Sequence, residues 1–226
     1  MPMRFGTFSI VARCKRTGDF GVATSTAVPC VGALLPFAEE GVGAIASQAW
    51  VNINLGYQGL ELMKHGLSVK AALETLLLED EGRARRQVIG VDSKSSFGFT
   101  GGECDEAKGH ILGDGFAVAG SMLVDRKTIE AMSSSFGKSK CELPLRLLSA
   151  LEVGQTAGGD SRGNVSAALL VASAKPKLYH NIRVDLHTDP VRELRRIYEK
   201  CVELEEEYGD DAGNNDLRRR IARVQK

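Results

Sequence analysis

The chain has 226 residues, and its 29 acidic and 29 basic side chains leave no formal net charge. This length suits one domain with a large core, and the balanced charge gives no reason to expect binding to nucleic acid or to an anionic membrane. Five widely spaced cysteines without a CxxC pair predict neither a disulfide framework nor a zinc site. The sequence also shows no apolar leader and no apolar run long enough to cross a membrane. Together with the cysteine pattern, this predicts a cytoplasmic protein.

The first predicted element is a strongly apolar β-hairpin. Residues 7–14 and 20–28 have the alternating or β-branched composition of strands, and Gly18 and Asp19 between them are typical of a hairpin turn. A hairpin this apolar has to be covered on both faces. Its first residue, Thr7, follows Gly6 and becomes a nucleophile if the peptide bond between them is cut, because the freed amine can then act as the base.

The next elements are a loop, a strand and a pair of helices. Two prolines predict a loop with at most a short helix between residues 31 and 39, followed by a third strand at residues 43–50. Residues 52–66 and 68–80 have helical apolar spacing, and Ser68 is a suitable N-cap. We expect these two helices to form one outer layer of the domain.

Four short strands follow and are expected to form a second sheet. They are predicted at residues 88–91, 97–100, 110–112 and 116–120, with glycine-rich or polar turns between them.

The second half of the chain predicts a second helical layer and two more strands. The helices are expected at residues 125–132 and 143–154, and the strands at 164–172 and 177–187. Asp189 and Pro190 then begin a helix with an apolar stripe that continues to residue 208, and we expect it to dock on the domain or on a second subunit. Residues 1–208 are therefore predicted to form a single domain, and residues 209–226 a polar and basic tail.

Two motif matches are rejected because their structural context is wrong. GVGAIA at residues 41–46 fits the dinucleotide-binding fingerprint, but it precedes a strand, whereas phosphate binding needs a strand before it and a helix after it. GDSRG at residues 159–163 fits the nucleophile elbow, but here a helix is predicted to lead into a strand. Ser161 is therefore not expected to be a triad serine.

Several runs of the chain, in order, resemble the family catalogued as domain of unknown function 1028. The runs, spread over residues 7–200, are TFSIVA, GVGAIASQ, LGYQGLELMKHGLS, RRQVIGVDS, FTGGE, GDGFAVAGSML, LLSALEVGQTAGGDSRGNVSAALLV and RVDLHTDPVRELRRIY. That family is similar to the N-terminal nucleophile (Ntn) hydrolases. The resemblance implies an α+β fold, a four-layer αββα sandwich of two antiparallel sheets between helical layers, with amide hydrolysis as the usual reaction.

Our first hypothesis is therefore an Ntn-type hydrolase that cleaves a small amide (C–N) bond, with Thr7 as its nucleophile. Ser25 is expected beside Thr7, and Gln48 and Asn52 are candidate oxyanion donors, the alternative for both being a capping role. Proteasome-type enzymes also use a lysine near the nucleophile. Residues 17–63 contain neither lysine nor arginine, so the sequence predicts no positive charge there.

The glycine-rich stretch at residues 154–166 is the second candidate for a site. It is expected to bring Asp160, Arg162, Asn164 and Ser166 to one end of a sheet, where the arginine could bind a substrate carboxylate in bidentate fashion. The alternative is that Asp160 and Arg162 pair with each other and stiffen the loop.

The histidines give weaker signals. His110 lies in a predicted strand between glycine-rich turns, so either a structural or a substrate-binding role fits it. The spacing of His65, His180 and His187 would not hold a metal on one face, and we expect no metal and no cofactor. Ser121 stands where the family's AGNML motif has asparagine.

A second hypothesis is a catalytically silent sandwich that binds a small anion through Asp160 and Arg162, or that serves as an assembly module. The partners considered from the sequence are a small-molecule substrate and a second copy of the chain in a homodimer, with no nucleic acid and no membrane.

Overall fold

The computed structural model describes residues 6–208, so the tail predicted at residues 209–226 lies outside the described residues. Within residues 6–208 the fold is mixed α+β, with two antiparallel sheets and five α-helices. The strands are β1 (Thr7–Arg13), β2 (Phe20–Thr26), β3 (Pro36–Glu39), β4 (Gly43–Ala49), β5 (Arg86–Val91), β6 (Ser96–Thr100), β7 (Gly109–Gly113), β8 (Phe116–Ser121), β9 (Ser166–Ala172) and β10 (Asn181–Val184). The helices are α1 (Ile53–Lys64), α2 (Val69–Leu78), α3 (Lys127–Lys138), α4 (Leu143–Thr156) and α5 (Pro190–Tyr208).

The first sheet has the strand order β10-β9-β2-β1-β8-β7, so the predicted hairpin of β1 and β2 is confirmed and lies at its centre. Successive residues of β1 point to opposite faces. Phe8 and Ile10 pack in the apolar cluster that contains α3, α4 and α5, whereas Val11 packs in the cluster between the two sheets. Thr7 and Ser9 share the face of Val11, so both point towards the second sheet.

The second sheet has the order β3-β4-β5-β6, which corrects two predictions. The four strands at residues 88–120 do not form one sheet. β8 pairs with β1 along six residues, and β7 pairs with β8, so both strands belong to the first sheet. The residues predicted as a loop contain strand β3, which begins at Pro36. β3 is an edge strand and Pro36 is its first residue, a position where the missing N–H costs no ladder hydrogen bond.

The helices cover the outer faces of the sheets. Helices α1 and α2 pack on the second sheet through Leu60, Met63, Leu73 and Leu77. The predicted N-cap is confirmed, since the side chain of Ser68 accepts a hydrogen bond from the N–H of Ala71. Helices α3 to α5 pack on the first sheet, and α3 continues to Lys138, beyond its predicted end.

The stripe predicted for α5 is buried against the chain itself. Val191, Leu194 and Tyr198 lie in the same apolar cluster as Ile182 and Val184 of β10. The prediction that this face packs against protein is therefore confirmed for the first half of the stripe, and the contact is within the subunit.

His180, which precedes β10, gives this part of the core a pH dependence. Burial lowers its pKa to about 4; the positive charge of Lys177 adds to this shift, while the carboxylates of Asp19, Glu205 and Glu142 oppose it. The folded protein therefore holds His180 neutral, while the unfolded chain takes up a proton near pH 6.5. Stability from this group is fully present above pH 6.5 and is lost as the pH falls towards 4, by up to about 3 kcal/mol.

We expect His180→Gln to remove most of this acid sensitivity. The measurement is the free energy of unfolding by urea at pH 7 and at pH 4.5 for both proteins. His65→Gln is the matched control, because His65 is an exposed histidine on the surface of α1. If the wild type and His180→Gln lose the same stability between the two pH values, the effect does not come from His180.

Candidate functional site

Thr7 is completely buried at the start of the central strand β1. It stands opposite Thr26 of β2 on one side and opposite Ser121 of β8 on the other, so three hydroxyl residues form a row across adjacent strands. The Thr7 hydroxyl Oγ1 donates a hydrogen bond to Thr26 Oγ1 at 3.2 Å. Its position and orientation are therefore set by the sheet.

The carbonyl of Gly6, directly before Thr7, receives two hydrogen bonds. Thr26 Oγ1 donates one, and Arg162 Nη2 donates the other at 3.1 Å. The site has no room for a side chain here, because a Cβ on residue 6 would lie 2.6 Å from Met122 Cβ and 2.8 Å from Asp160 Oδ2. Glycine thus allows the peptide bond before Thr7 to sit against these donors.

Asp160 and Arg162 form a bidentate pair. Arg162 Nε donates to Asp160 Oδ1 at 3.1 Å, and Arg162 Nη2 donates to Asp160 Oδ2 at 2.8 Å. The Asp160 side chain is fully buried and also accepts from the backbone N–H of Ala27, while 31% of the Arg162 side chain is exposed. The loop-stiffening pair considered from the sequence is present, and the same guanidinium also reaches Gly6.

Ser25 does not lie beside Thr7. It pairs with Phe8, and the alternation of β2 turns it to the face opposite that of Thr7 and Thr26. Its Oγ donates to Ser166 O at 2.9 Å and accepts from Asn164 Nδ2 at 2.8 Å. Asn164 and Ser166 therefore bind the side chain of Ser25 near the end of β2. Thr26, and not Ser25, is the β2 residue that lies beside Thr7.

Gln48 reaches Thr7 from the second sheet. Its Nε2 lies 3.4 Å from the carbonyl oxygen of Thr7 and donates to Gln87 Oε1 at 2.6 Å. Gln87 Nε2 in turn faces Gly109 O and Gly120 O, both at 3.0 Å. Since carbonyls only accept, they fix the orientation of the Gln87 carboxamide, and this in turn fixes that of Gln48. The N–H groups of Gln48 are thus directed at Thr7 O and Gln87 Oε1.

Two candidates lie outside this arrangement. Asn52 is the N-cap of α1: its side chain accepts from the N–H of Asn54 and donates to Asp80 Oδ2 at 2.8 Å. This is the capping role that the sequence analysis gave as the alternative. His110 lies on the edge strand β7, where its Nδ1 is 2.9 Å from Thr100 Oγ1. Burial, and then the charge of Arg126, lower the pKa of His110, so it is neutral at pH 7.

Thr7 and Thr26 also line a cavity of about 10 Å³, a volume on the scale of one water molecule. The other lining residues are aliphatic or proline: Val28, Pro29, Val31, Leu34, Leu35 and Val51. Pro29 is exposed and Leu34 is 38% exposed, whereas Thr7 is buried, so the cavity lies between the protein surface and the buried Thr7 side chain. Ser25 and Gln48 do not line it.

Within residues 6–208, no cluster of three or more His, Cys, Asp or Glu side chains could hold a metal ion. Over the same range, no helix combines the length and the apolar character needed to cross a membrane.

Residues 7–194 match the model of a family of unknown function, DUF1028. The chain belongs to the DUF1028 family. The crystal structure of a DUF1028 protein from Silicibacter pomeroyi matches this DUF1028 protein with a TM-score of 0.80 and 32% sequence identity, over 86% of this chain and 85% of that one. No curated protein matches the chain.

Three residues of the candidate site of this DUF1028 protein were missed or misplaced from the sequence, two through long-range contacts and one through a hairpin register. The positive charge at Gly6 comes from Arg162, which lies far from residue 6 in sequence. Gln87 has no local signal, since it reads as an ordinary strand residue. Thr26 could have been found by pairing Arg13 with Phe20 across the turn, because that register puts Thr26 opposite Thr7.

The Gln87 carboxamide is expected to be essential to the stability of this end of the DUF1028 protein. Gln87→Glu keeps the shape of the side chain but replaces its NH2 group with an oxygen. That NH2 group donates to Gly109 O, Gly120 O and Thr100 Oγ1. We expect a loss of at least about 2 kcal/mol of unfolding free energy, because a buried carboxylate would face two carbonyl oxygens. Urea unfolding measures it, with the exposed Gln58→Glu as the control. Equal stability of the two variants would contradict this role.

Proposed function

We propose that this DUF1028 protein is an N-terminal nucleophile hydrolase that cleaves its own Gly6–Thr7 bond and then uses Thr7 to hydrolyse a small amide. The observation that carries the proposal is the pair of donors on the Gly6 carbonyl, Arg162 Nη2 and Thr26 Oγ1, next to a hydroxyl that is itself hydrogen-bonded to Thr26.

The architecture supports the proposal. Apolar clusters lie between α1–α2 and the second sheet, between the two sheets, and between the first sheet and α3–α5. In this proposal they are the contacts of a four-layer αββα sandwich of the Ntn type. The nucleophile begins the central strand, and the family match begins at residue 7.

The first step of the proposed reaction is an N-to-O acyl shift. Thr7 Oγ1 attacks the carbonyl carbon of Gly6, so that an ester bond forms and the Gly6–Thr7 C–N bond breaks. Negative charge develops on the carbonyl oxygen of Gly6, where Arg162 and Thr26 already donate. The hydroxyl proton of Thr7 is transferred overall to the Thr7 nitrogen, which becomes a free amine.

Thr26 gives that proton a path. The hydrogen bonds run from the Thr7 hydroxyl to Thr26 Oγ1, and from Thr26 Oγ1 to the Gly6 oxygen. Thr26 can therefore give its own proton to the developing oxyanion while it takes the proton of Thr7. The Gly6 oxygen then passes this proton to the leaving nitrogen.

In the second step, water hydrolyses the ester. Residues 1–6 leave with a new carboxyl group on Gly6, and Thr7 regains its hydroxyl next to a free α-amine. Such amines have an ordinary pKa near 7.7–8.0, so at neutral pH a fraction is unprotonated and can take the hydroxyl proton during substrate attack. In this proposal Arg162 supplies the positive charge that proteasome-type enzymes take from a lysine.

The alternative of a silent anion-binding module has less support. A free anion at Arg162 would have to compete with Asp160, whose two carboxylate oxygens both accept hydrogen bonds from the guanidinium. The guanidinium is also bonded to Gly6 O, so its donors are directed at the peptide bond that the first hypothesis needs to polarise.

Periodate chemistry tests the proposal. Periodate oxidises a 1,2-amino alcohol, which an N-terminal threonine has and an internal threonine lacks, to an aldehyde that an aminooxy probe labels. We expect the purified protein to be labelled at residue 7 in a peptide map and Thr7→Ala to remain unlabelled. A wild-type chain that keeps residues 1–6 and takes up no label would overturn the proposal.

A further inference from the structure

We propose that the cavity at Thr7 is the subsite for the acyl side chain of the substrate, and that it selects short, uncharged aliphatic acyl groups. The inference rests on the proposed function, since it takes Thr7 as the nucleophile. It goes further by naming the substrate class: amides of small aliphatic carboxylic acids.

The position of the cavity decides what can fill it. Thr7 and Thr26 are among its lining residues, so the cavity adjoins the residue that attacks the substrate in the proposed reaction. When Oγ1 bonds to an acyl carbon, the group attached to that carbon is held next to Thr7 and therefore near the cavity. A substituent of the acyl group therefore fits there better than a distant part of the substrate.

The lining decides the chemistry of that substituent. Apart from the two threonines it consists of aliphatic side chains and a proline, and none of the lining residues is charged. A carboxylate or an ammonium group would lose its water there without gaining a partner. The volume of about 10 Å³, on the scale of one water molecule, further limits the group to about the size of a methyl.

Hydrogen bonds and close packing fix the position of the cavity wall, so the cavity cannot widen to admit a larger acyl group. The segment that follows β2 is tied at both ends to Ser166, whose Oγ donates to Val28 O and accepts from the N–H of Val31 at 3.2 Å. Behind it, Gly32 packs so closely on Arg183 that a Cβ would lie 2.6 Å from Arg183 Cδ. A wall supported in this way does not move outward to admit a longer chain.

Acylation of Thr7 by 4-nitrophenyl esters of graded acids tests the inference without knowledge of the natural amide. In this reaction the Thr7 Oγ1–acyl bond forms, 4-nitrophenolate leaves, and the hydroxyl proton passes to the Thr7 amine. The acids are acetic, isobutyric, hexanoic and succinic, and the readouts are the nitrophenolate burst and the mass of the Thr7 peptide. We expect the acetyl ester to react fastest, and the hexanoyl and succinyl esters to react at least about 10-fold more slowly than it.

Variants of the wall provide the decisive comparison. Leu35→Ala enlarges the cavity and is expected to reverse the order of hexanoyl and acetyl, while Leu78→Ala, an exposed leucine on α2, leaves it unchanged. Leu34→Ala at the rim makes the same test if Leu35→Ala does not fold. Equal rates for all four esters, or a preference for succinyl, would overturn the inference while leaving Thr7 as the nucleophile. Labelling that persists in Thr7→Ala would instead overturn the proposed function, and this inference with it.

Discussion

Thr26→Val is expected to slow the release of residues 1–6 by about 100- to 1,000-fold. Valine keeps the volume and branching of threonine but removes the hydroxyl that donates to the Gly6 oxygen and accepts from Thr7. The loss of one donor to a developing oxyanion typically has an effect of this size. The measurement is a time course of intact mass after rapid purification, or after translation in vitro.

Two variants control for this experiment. Thr26→Ser retains the hydroxyl and should process at a rate close to that of the wild type. Thr24→Val removes a buried hydroxyl from the same face of the same strand, but Thr24 pairs with Ser9 at 2.8 Å rather than with the Gly6 carbonyl. If Thr24→Val and Thr26→Val slow processing equally, the effect is a general weakening of the hairpin and the proton path through Thr26 is wrong.

Leu194→Asp is expected to reduce the free energy of unfolding by at least about 4 kcal/mol. The Leu194 side chain on α5 is 0% exposed in the cluster that joins this helix to the first sheet. Truncation of a buried leucine alone costs about 2–5 kcal/mol, and an unpaired carboxylate in the same place adds to that loss. Urea unfolding at pH 7 gives the value.

Leu186→Asp is the matched control, because Leu186 is 71% exposed and carries the same substitution outside the core. Leu194→Ala supplies the measurement if the aspartate variant is not folded at all, which is a reasonable outcome for a domain whose total stability is about 5–15 kcal/mol. An unchanged urea midpoint for both Leu194 variants would show that α5 does not depend on this contact.

The helices and most strands could be predicted because their signals are local. Ser68 caps α2 through an oxygen three residues from the N–H it binds, and Val191, Leu194 and Tyr198 repeat at helical spacing on α5. Strand β3 was missed for an equally local reason. Its first residue is proline, which usually argues against a strand and is tolerated here only because β3 is at an edge.

The pairing of strands and the composition of the site could not be predicted in the same way. Which sheet receives β7 and β8 depends on the packing of β8 against β1, and no local pattern encodes that choice. A hairpin register that is wrong by one residue exchanges Ser25 for Thr26 and turns the side chain to the other face. Arg162 reaches Gly6 only because the loop after α4 folds back beside β1 and β2, and no local pattern near residue 6 encodes that contact.

The mass of the intact, freshly purified chain tests the central claim most directly. We predict that the wild-type protein loses residues 1–6 and begins at Thr7, and that Thr7→Ala retains them apart from the ordinary removal of Met1. A wild-type chain that also keeps residues 2–6 would contradict the mechanism. Equal rates of hydrolysis of the same acyl substrate by wild type and Thr7→Ala would contradict it as well.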